Sequence, residues 1–348
     1  MGCVHHHEKT FVLLLLSLCS VAKSQSPLAT QKFGVFDFDL RCANNGEKVD
    51  SVINLGYDGL AMKLVKPSDL ARWEAYKAVR PNTKLMVGFL NAYIDNPDDI
   101  DSAHSTNVLQ ALADEKAQFW CIFRRTQNSD TSGLQALVDR VAARAAEFGL
   151  DANIYPHDGA SLFAIESVEE AMSFINQSSA TNLKVSAHLC HELRAGNEDR
   201  LEEVLRAAGD HLALVTINGA DVATADNSSN WSAGIQPLGE GNFDARLFVD
   251  ALDRVGYQGP VILHTFGLAS KPESHYQDSY NLWQNWIQSP RPTMAIYTAQ
   301  NNSMTLGFSG TLQVTSTGLK NWMDIAPQPA SPYSFNTTLS RQFFRAKN

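Results

Sequence analysis

The feature that most constrains this chain is an eightfold alternation of short apolar runs with amphipathic runs between residues 33 and 289. FGVFDFDL at 33–40 alternates and is rich in Phe and Val, which reads as a strand. A helical period over 43–55 follows and is ended by Gly56. Strands at 57–64, 84–90, 119–124, 152–155, 183–189, 212–217 and 261–264 repeat the pattern. Helical stretches at 67–79, 107–116, 134–148, 168–175, 199–207, 244–255 and 274–287 separate and follow them, with a looser Asp-rich passage at 96–101 and a polar loop at 221–230. Strand-then-helix units in this number predict a parallel α/β fold. A closed (β/α)8 TIM barrel fits better than an open doubly wound sheet, because the count is eight and no Gly-rich phosphate loop follows the first strand.

The pattern stops near Pro290. Residues 292–348 lack a helical period and carry short strand-like runs such as TMAIY, MTLGF, LQVTST and PYSFN, so a small C-terminal β module is expected there. At the other end, His5, His6, His7 and Lys9 precede the apolar run 11–18, and Ala22-Lys23-Ser24 is a small-x-small site. That is a leader pattern over 1–24, which predicts an exported protein, periplasmic or extracellular, and the run is too short for a stable membrane span. Without Cys3 and Cys19 in the leader, the five cysteines reduce to Cys42, Cys121 and Cys190, too few and too scattered for a disulfide framework. The net charge of −9 excludes the basic footprint of a nucleic-acid surface and suits a small neutral or cationic ligand.

Chemistry in such a barrel sits at the C-terminal ends of the strands. The stretch LKVSAHLCHEL at 183–193 begins as a strand and ends in His188 and His191, with Glu192 beside the second. Side chains two apart share a face. Asn153, Tyr155 and His157 therefore form one set, Ser186, His188 and Cys190 another, and Thr216 and Asn218 a third, while His264 ends the run VIL. Lys63 near the end of the second strand, and Asp37 or Asp39 on the first, are expected to reach the same mouth, where Lys63 would meet one of those carboxylates. Three histidines from three strands suit a borderline metal such as zinc, manganese or iron. The competing reading makes each a hydrogen-bonded filler. Tyr280, Trp283 and Trp286 have helical spacing and read as packing.

The succession NIYPHDG, LKVSAHLCHEL, LALVTINGAD and IQPLGEGNFDARLFVDALDRVGYQGPVILH resembles the sugar phosphate isomerase/epimerase family, with its xylose isomerase-like TIM barrel; GYDGLAMKL at 56–64 fits that family's second strand. The resemblance covers 33–289 and implies one divalent metal held by a Glu, an Asp, a His and a second Glu at the ends of strands five to eight. Carried over by position, these fall at His157, His188, Asn218 and His264, and a substrate-contacting His falls at His191. Histidines replace both glutamates, so the site changes from anionic to neutral, which disfavours a hard cation such as magnesium.

Two functions follow as expectations. One is an exported sugar isomerase or epimerase that moves a proton next to a carbonyl of a sugar or keto-glycoside, with a metal on His157, His188, Asn218 and His264, His191 and Glu192 at the substrate, and Lys63 stabilising an enediolate. The other is a non-catalytic carbohydrate-binding barrel that has lost its metal. Either way the partner is a small-molecule carbohydrate; the sequence carries no signal for an oligomeric state.

Overall fold

The structure, a computed structural model, describes residues 27–38, 40, 45–89, 94–125, 131–158, 162–222 and 231–288, and short segments at 294–298, 303–308, 311–315, 323–328, 333–336 and 343–347. The expected leader, Asp39 and Cys42 lie outside them.

Eight strands form a closed parallel barrel in sequence order. They are β1 (Phe33–Phe36), β2 (Leu60–Lys63), β3 (Leu85–Phe89), β4 (Gln118–Cys121), β5 (Ala152–Ile154), β6 (Leu183–His188), β7 (Leu212–Ile217) and β8 (Val261–Leu263). The seam closes where Phe33, Gly34 and Val35 pair with Val261, Ile262 and Leu263. Glycine leaves room at position 34, where a Cβ would stand 2.6 Å from the Met86 sulfur and 2.8 Å from Ile262 Cδ1, so that both side-chain ends would have to shift.

The helices are α1 (Asn45–Ile53), α2 (Pro67–Val79), α3 (Pro97–Asp101), α4 (Ala103–Glu115), α5 (Thr131–Ala146), α6 (Val168–Gln177), α7 (Leu189–Arg194), α8 (Leu201–Ala208), α9 (Trp231–Gly234), α10 (Arg246–Arg254) and α11 (Ser274–Gln288). Their starts show local chemistry at work. In α6 the Ser167 hydroxyl accepts from the Glu170 amide at 3.0 Å, and the Glu170 carboxylate accepts from the Glu166 amide at 2.8 Å, satisfying donors that the first turn leaves open. Val168, Ala171, Met172, Phe174 and Ile175 then line one buried face.

Several helices differ from the sequence expectation. The Asp-rich passage is α3, with Asn96 and Asp99 as its capping box, and α4 begins four residues before 107 because Ser102 caps it. Polar residues that read as loop are the caps of two consecutive helices. The six-residue α7 was not expected; it starts directly at the end of β6 and carries both His191 and Glu192.

Alternation along the strands divides the core in two. Outward residues such as Phe33, Val35, Leu60, Met62, Phe119, Cys121, Ile154, Val185 and Val215 pack under the helices. Phe36, Ala61, Val87, Trp120, Tyr155, Leu214 and Ile262 fill the lumen. Trp283 belongs to the outer layer, fully buried and stacked on Phe33 at 4.7 Å between ring centroids, so the aromatic set of α11 is packing. Cys121 and Cys190 are buried free thiols.

The C-terminal strands are β9 (Met294–Thr298), β10 (Ser303–Phe308), β11 (Thr311–Thr315), β12 (Met323–Asp324), β13 (Tyr333–Asn336) and β14 (Phe343–Lys347). They form two three-stranded antiparallel sheets, β13-β10-β9 and β12-β11-β14. Among the described residues no helix is long and apolar enough to cross a membrane. Removal of 292–348 is expected to leave a barrel with a cooperative thermal transition, because all eight strands and α11 precede it. A truncated chain without that transition would make the β module part of the core.

Candidate ligand-binding mouth

The lumen faces of β5 to β8 and the residues just beyond them place Tyr155, His157, His188, Thr216, Asn218 and His264 at the C-terminal end of the barrel. His188 lies deepest. It is 1% exposed, its ring is stacked on Tyr155 with centroids 3.5 Å apart, and Trp120 meets it edge-on at 5.0 Å. Both of its ring nitrogens are used. The Ser186 hydroxyl donates to the Ile154 carbonyl at 3.2 Å, so it accepts from His188 Nε2–H at 2.7 Å. Nδ1 then holds the lone pair and accepts from the Thr216 hydroxyl at 2.9 Å. Burial, followed by the charges of His264 and His157, holds the His188 pKa well below the usual histidine value, so the ring is neutral.

The same reasoning fixes the other rings. The Asp158 amide donates to His191 Nδ1 at 3.2 Å, which leaves the His191 proton on Nε2, 3.2 Å from the Tyr155 hydroxyl. In His264, Nδ1 accepts from the Phe266 amide at 3.3 Å, so Nε2 carries the proton. His157 has the opposite tautomer. Its Nδ1–H donates to the Asp158 carbonyl at 2.9 Å, leaving a lone pair on Nε2. Burial lowers the His157 pKa to about 4 and the His264 pKa to about 3, and it holds His191 well below its usual value. The mouth histidines are therefore neutral at pH 7. Asn218 is fully buried; its amide nitrogen donates to the carbonyls of Gly219 and Gly234 at 2.7 and 2.9 Å, and its Oδ1 has no partner among the described residues.

Aromatic rings and one ion pair form the rim. Arg194 on α7 donates to Asp158 at 2.7 Å, and its guanidinium lies 4.0 Å from the centroid of Trp231. Trp231 is 5.1 Å from His191, and Phe163 is 3.8 Å from His157. Across the mouth, Phe38 stacks on Phe36 at 4.6 Å and meets Phe266 edge-on at 5.7 Å, with Lys63 Nζ 6.0 Å from the Phe38 centroid. Phe266 is 45% exposed, a large apolar surface to leave at a rim. Sequence reasoning missed Arg194, Trp231, Phe38, Phe163 and Phe266. Only Arg194 left a trace, three residues beyond His191 in the same run.

Two expected site residues point elsewhere. Asp37 shares the outward face of β1 with Val35, and its carboxylate meets Arg72 of α2 at 3.1 Å and the Tyr76 hydroxyl at 3.5 Å. It does not pair with Lys63, because one step of the strand reverses the face. Glu192 is next to His191 on a helix, about 100° around the axis. Its carboxylate accepts from Asn197 at 2.8 Å, and its nearest charges are Glu169 and Arg200, so it sits outside the histidine cluster. Burial raises its pKa to about 7.

The donor set does not fit the divalent metal that the fold family implies. A ligating imidazole needs an unshared lone pair, with its other nitrogen hydrogen-bonded. His157 alone meets that condition. The His188 and His264 lone pairs are taken by Thr216 and the Phe266 amide, and Asn218 offers one neutral oxygen. Among the described residues no group of three or more His, Cys, Asp or Glu side chains is placed to hold a metal ion.

Residues 127–286 match the family model of the xylose isomerase-like TIM barrel. Several solved structures have the same fold. D-Psicose 3-epimerase from Clostridium cellulolyticum H10 is 18% identical, covers 74% of this chain and 100% of its own, and superposes with a TM-score of 0.56. For 3-keto-D-glucoside 4-epimerase from E. coli the values are 19%, 73%, 99% and 0.55. A xylose isomerase domain containing protein from Salmonella typhimurium gives 14%, 74%, 98% and 0.59. No curated protein matches the sequence. At these identities the likeness is one of fold. The chain folds as a closed eight-stranded TIM barrel, its residues 127–286 are similar to the xylose isomerase-like family model, and sugar epimerases are among its structural neighbours.

Proposed function

We propose that the barrel binds a small carbohydrate without a metal. The observation that carries this is a set of polar atoms without a hydrogen-bond partner among the described residues, in an aromatic-lined mouth of neutral imidazoles: the lone pairs of His157 Nε2 and Asn218 Oδ1, and the proton of His264 Nε2. Sugar hydroxyls both donate and accept, and so complement such a set. An acceptor left bare in a buried site costs about 1–3 kcal/mol, a penalty that a ligand hydroxyl or water relieves. Trp231 and Phe38 supply apolar faces for the C–H surface of a sugar ring. The leader pattern, read as an export signal, favours free or glycosidic sugars over sugar phosphates.

The histidines argue against proton abstraction by this mouth alone. A general base works best with a pKa near the operating pH. Burial makes His157 and His264 far weaker bases than that, and the His191 lone pair is held by the Asp158 amide. The epimerase neighbours favour the second reading, metal-assisted isomerisation or epimerisation with His191 at the substrate and Lys63 at an enediolate.

Titration calorimetry of the full chain against neutral monosaccharides and methyl glycosides is the test, with elemental analysis of the same sample. Binding at about 1 mM or tighter, near −4 kcal/mol, is expected for at least one sugar. Asn218→Leu and His157→Phe should each weaken it about tenfold, near 1.4 kcal/mol. Absence of any sugar binding would sink the proposal. Stoichiometric zinc, manganese or iron together with sugar isomerisation would replace it with the metalloenzyme reading.

A further inference from the structure

We propose that the ligand is an acidic sugar, a uronate or aldonate, whose carboxylate is held by Lys63. This rests on the carbohydrate reading and names the class of sugar. The argument begins with the charges around the mouth. Asp158 is neutralised by Arg194 at 2.7 Å. Arg125 at the end of β4 faces Glu166 at 3.5 Å, and Arg124 faces Asp95 at 3.7 Å. Of the two carboxylates that sequence spacing offers to Lys63, Asp37 is turned outward to Arg72 and Asp39 lies outside the described residues. Among the described residues of the mouth Lys63 is the cation that remains. It follows Ala61 on the lumen face of β2, its described contact is the ring of Phe38, and its charge is felt at His157 across the mouth. Among the described residues no carboxylate lies within ion-pair distance of it.

A half-buried ammonium beside an aromatic ring, opposite neutral imidazoles, gives the described residues of the mouth a local charge of about +1 in a protein whose net charge is −9. The overall field repels anions, so an anionic ligand is selected only by a contact at short range, and Lys63 provides one. A single cation matches a monoanion. A phosphate dianion calls for more positive charge or several backbone donors. The carboxylate of a uronate also leaves the ring hydroxyls free for His157 Nε2 and Asn218 Oδ1, which are acceptors and would repel a second carboxylate.

Calorimetry of the full chain tests this with glucose, galactose and their methyl glycosides set against the matching uronates and 6-phosphates. The uronate is expected to bind about tenfold tighter than its neutral counterpart at low ionic strength, with the ratio shrinking as salt is raised. Lys63→Met should bring the ratio to one or below, and Lys63→Arg should preserve it. A melting transition for each variant confirms folding. Neutral sugars that bind as well as uronates would overturn the inference and leave the carbohydrate reading standing. A preference for the phosphate, lost in Lys63→Met, would overturn the carboxylate assignment. If neither neutral nor acidic sugars bind, both readings fall.

Discussion

Replacing Arg72 with alanine is expected to destabilise the barrel by about 3–5 kcal/mol at pH 8, although the residue is remote from the mouth. Arg72 is partly exposed on α2, whereas its partner Asp37 is 3% exposed under that helix. Removal of the cation leaves a buried carboxylate with the Tyr76 hydroxyl at 3.5 Å and the weaker influence of the Lys48 charge. The effect also has a pH signature. Burial raises the Asp37 pKa above 3.8 and outweighs the lowering by Arg72. A carboxyl whose folded pKa is raised contributes stability that is fully present below its unfolded pKa and is lost as pH rises through the folded pKa. Without Arg72 the folded pKa rises further, so the deficit of the variant relative to wild type should be largest at neutral and alkaline pH. It should shrink as pH falls toward 3.8. Urea unfolding of both proteins across that range measures the difference. An equal deficit at every pH would assign the loss to Arg72 packing on α2. Asp37→Asn in the Arg72→Ala background should recover much of the stability, because the uncompensated charge is gone.

Trp120→Ala is the second large effect, at about 3–5 kcal/mol. Trp120 is fully buried in the lumen and packs against other rings, with centroids 5.4 Å from Phe36, 5.1 Å from Tyr155 and 5.0 Å from His188. The lumen is closed on all sides by strands, so neighbouring side chains have little room to collapse into the space the indole leaves. The cost should therefore lie toward the upper end of the range, since the penalty grows with the residual cavity. Trp120→Phe should cost distinctly less. Ligand binding should weaken as well, because Tyr155 and His188 lose the ring that wedges them against β6. Urea unfolding gives the first number and calorimetry the second. A loss below about 1 kcal/mol would show a lumen that repacks freely, contrary to the density expected of a barrel interior.

What the sequence determined by itself is the barrel and the set of residues facing its lumen. Strand-then-helix repetition fixes the layer order, and the period of two along each strand assigns Tyr155, His157, His188 and His264 inward without reference to any partner. That is why the eightfold fold and the histidine cluster were legible. Where the same period was read loosely, as for Asp37 beside its inward neighbour Phe38, the face came out wrong. The tertiary structure decided what those residues do with their protons. The His188 Nδ1 lone pair is taken by the hydroxyl of Thr216, 28 residues away on β7. His264 is turned into a donor by an amide two residues beyond it, and His157 into an acceptor by the Asp158 carbonyl. Glu192 leaves the mouth because a six-residue helix begins immediately after β6, and Arg194 enters its rim through the same helix, seated on the tryptophan that opens α9. Alternation is a local property of the backbone and is written into residue order. Tautomer, ion pairing and hydrogen-bond saturation depend on which side chain from another strand or loop stands within about 3 Å, and only the closed barrel brings those partners together.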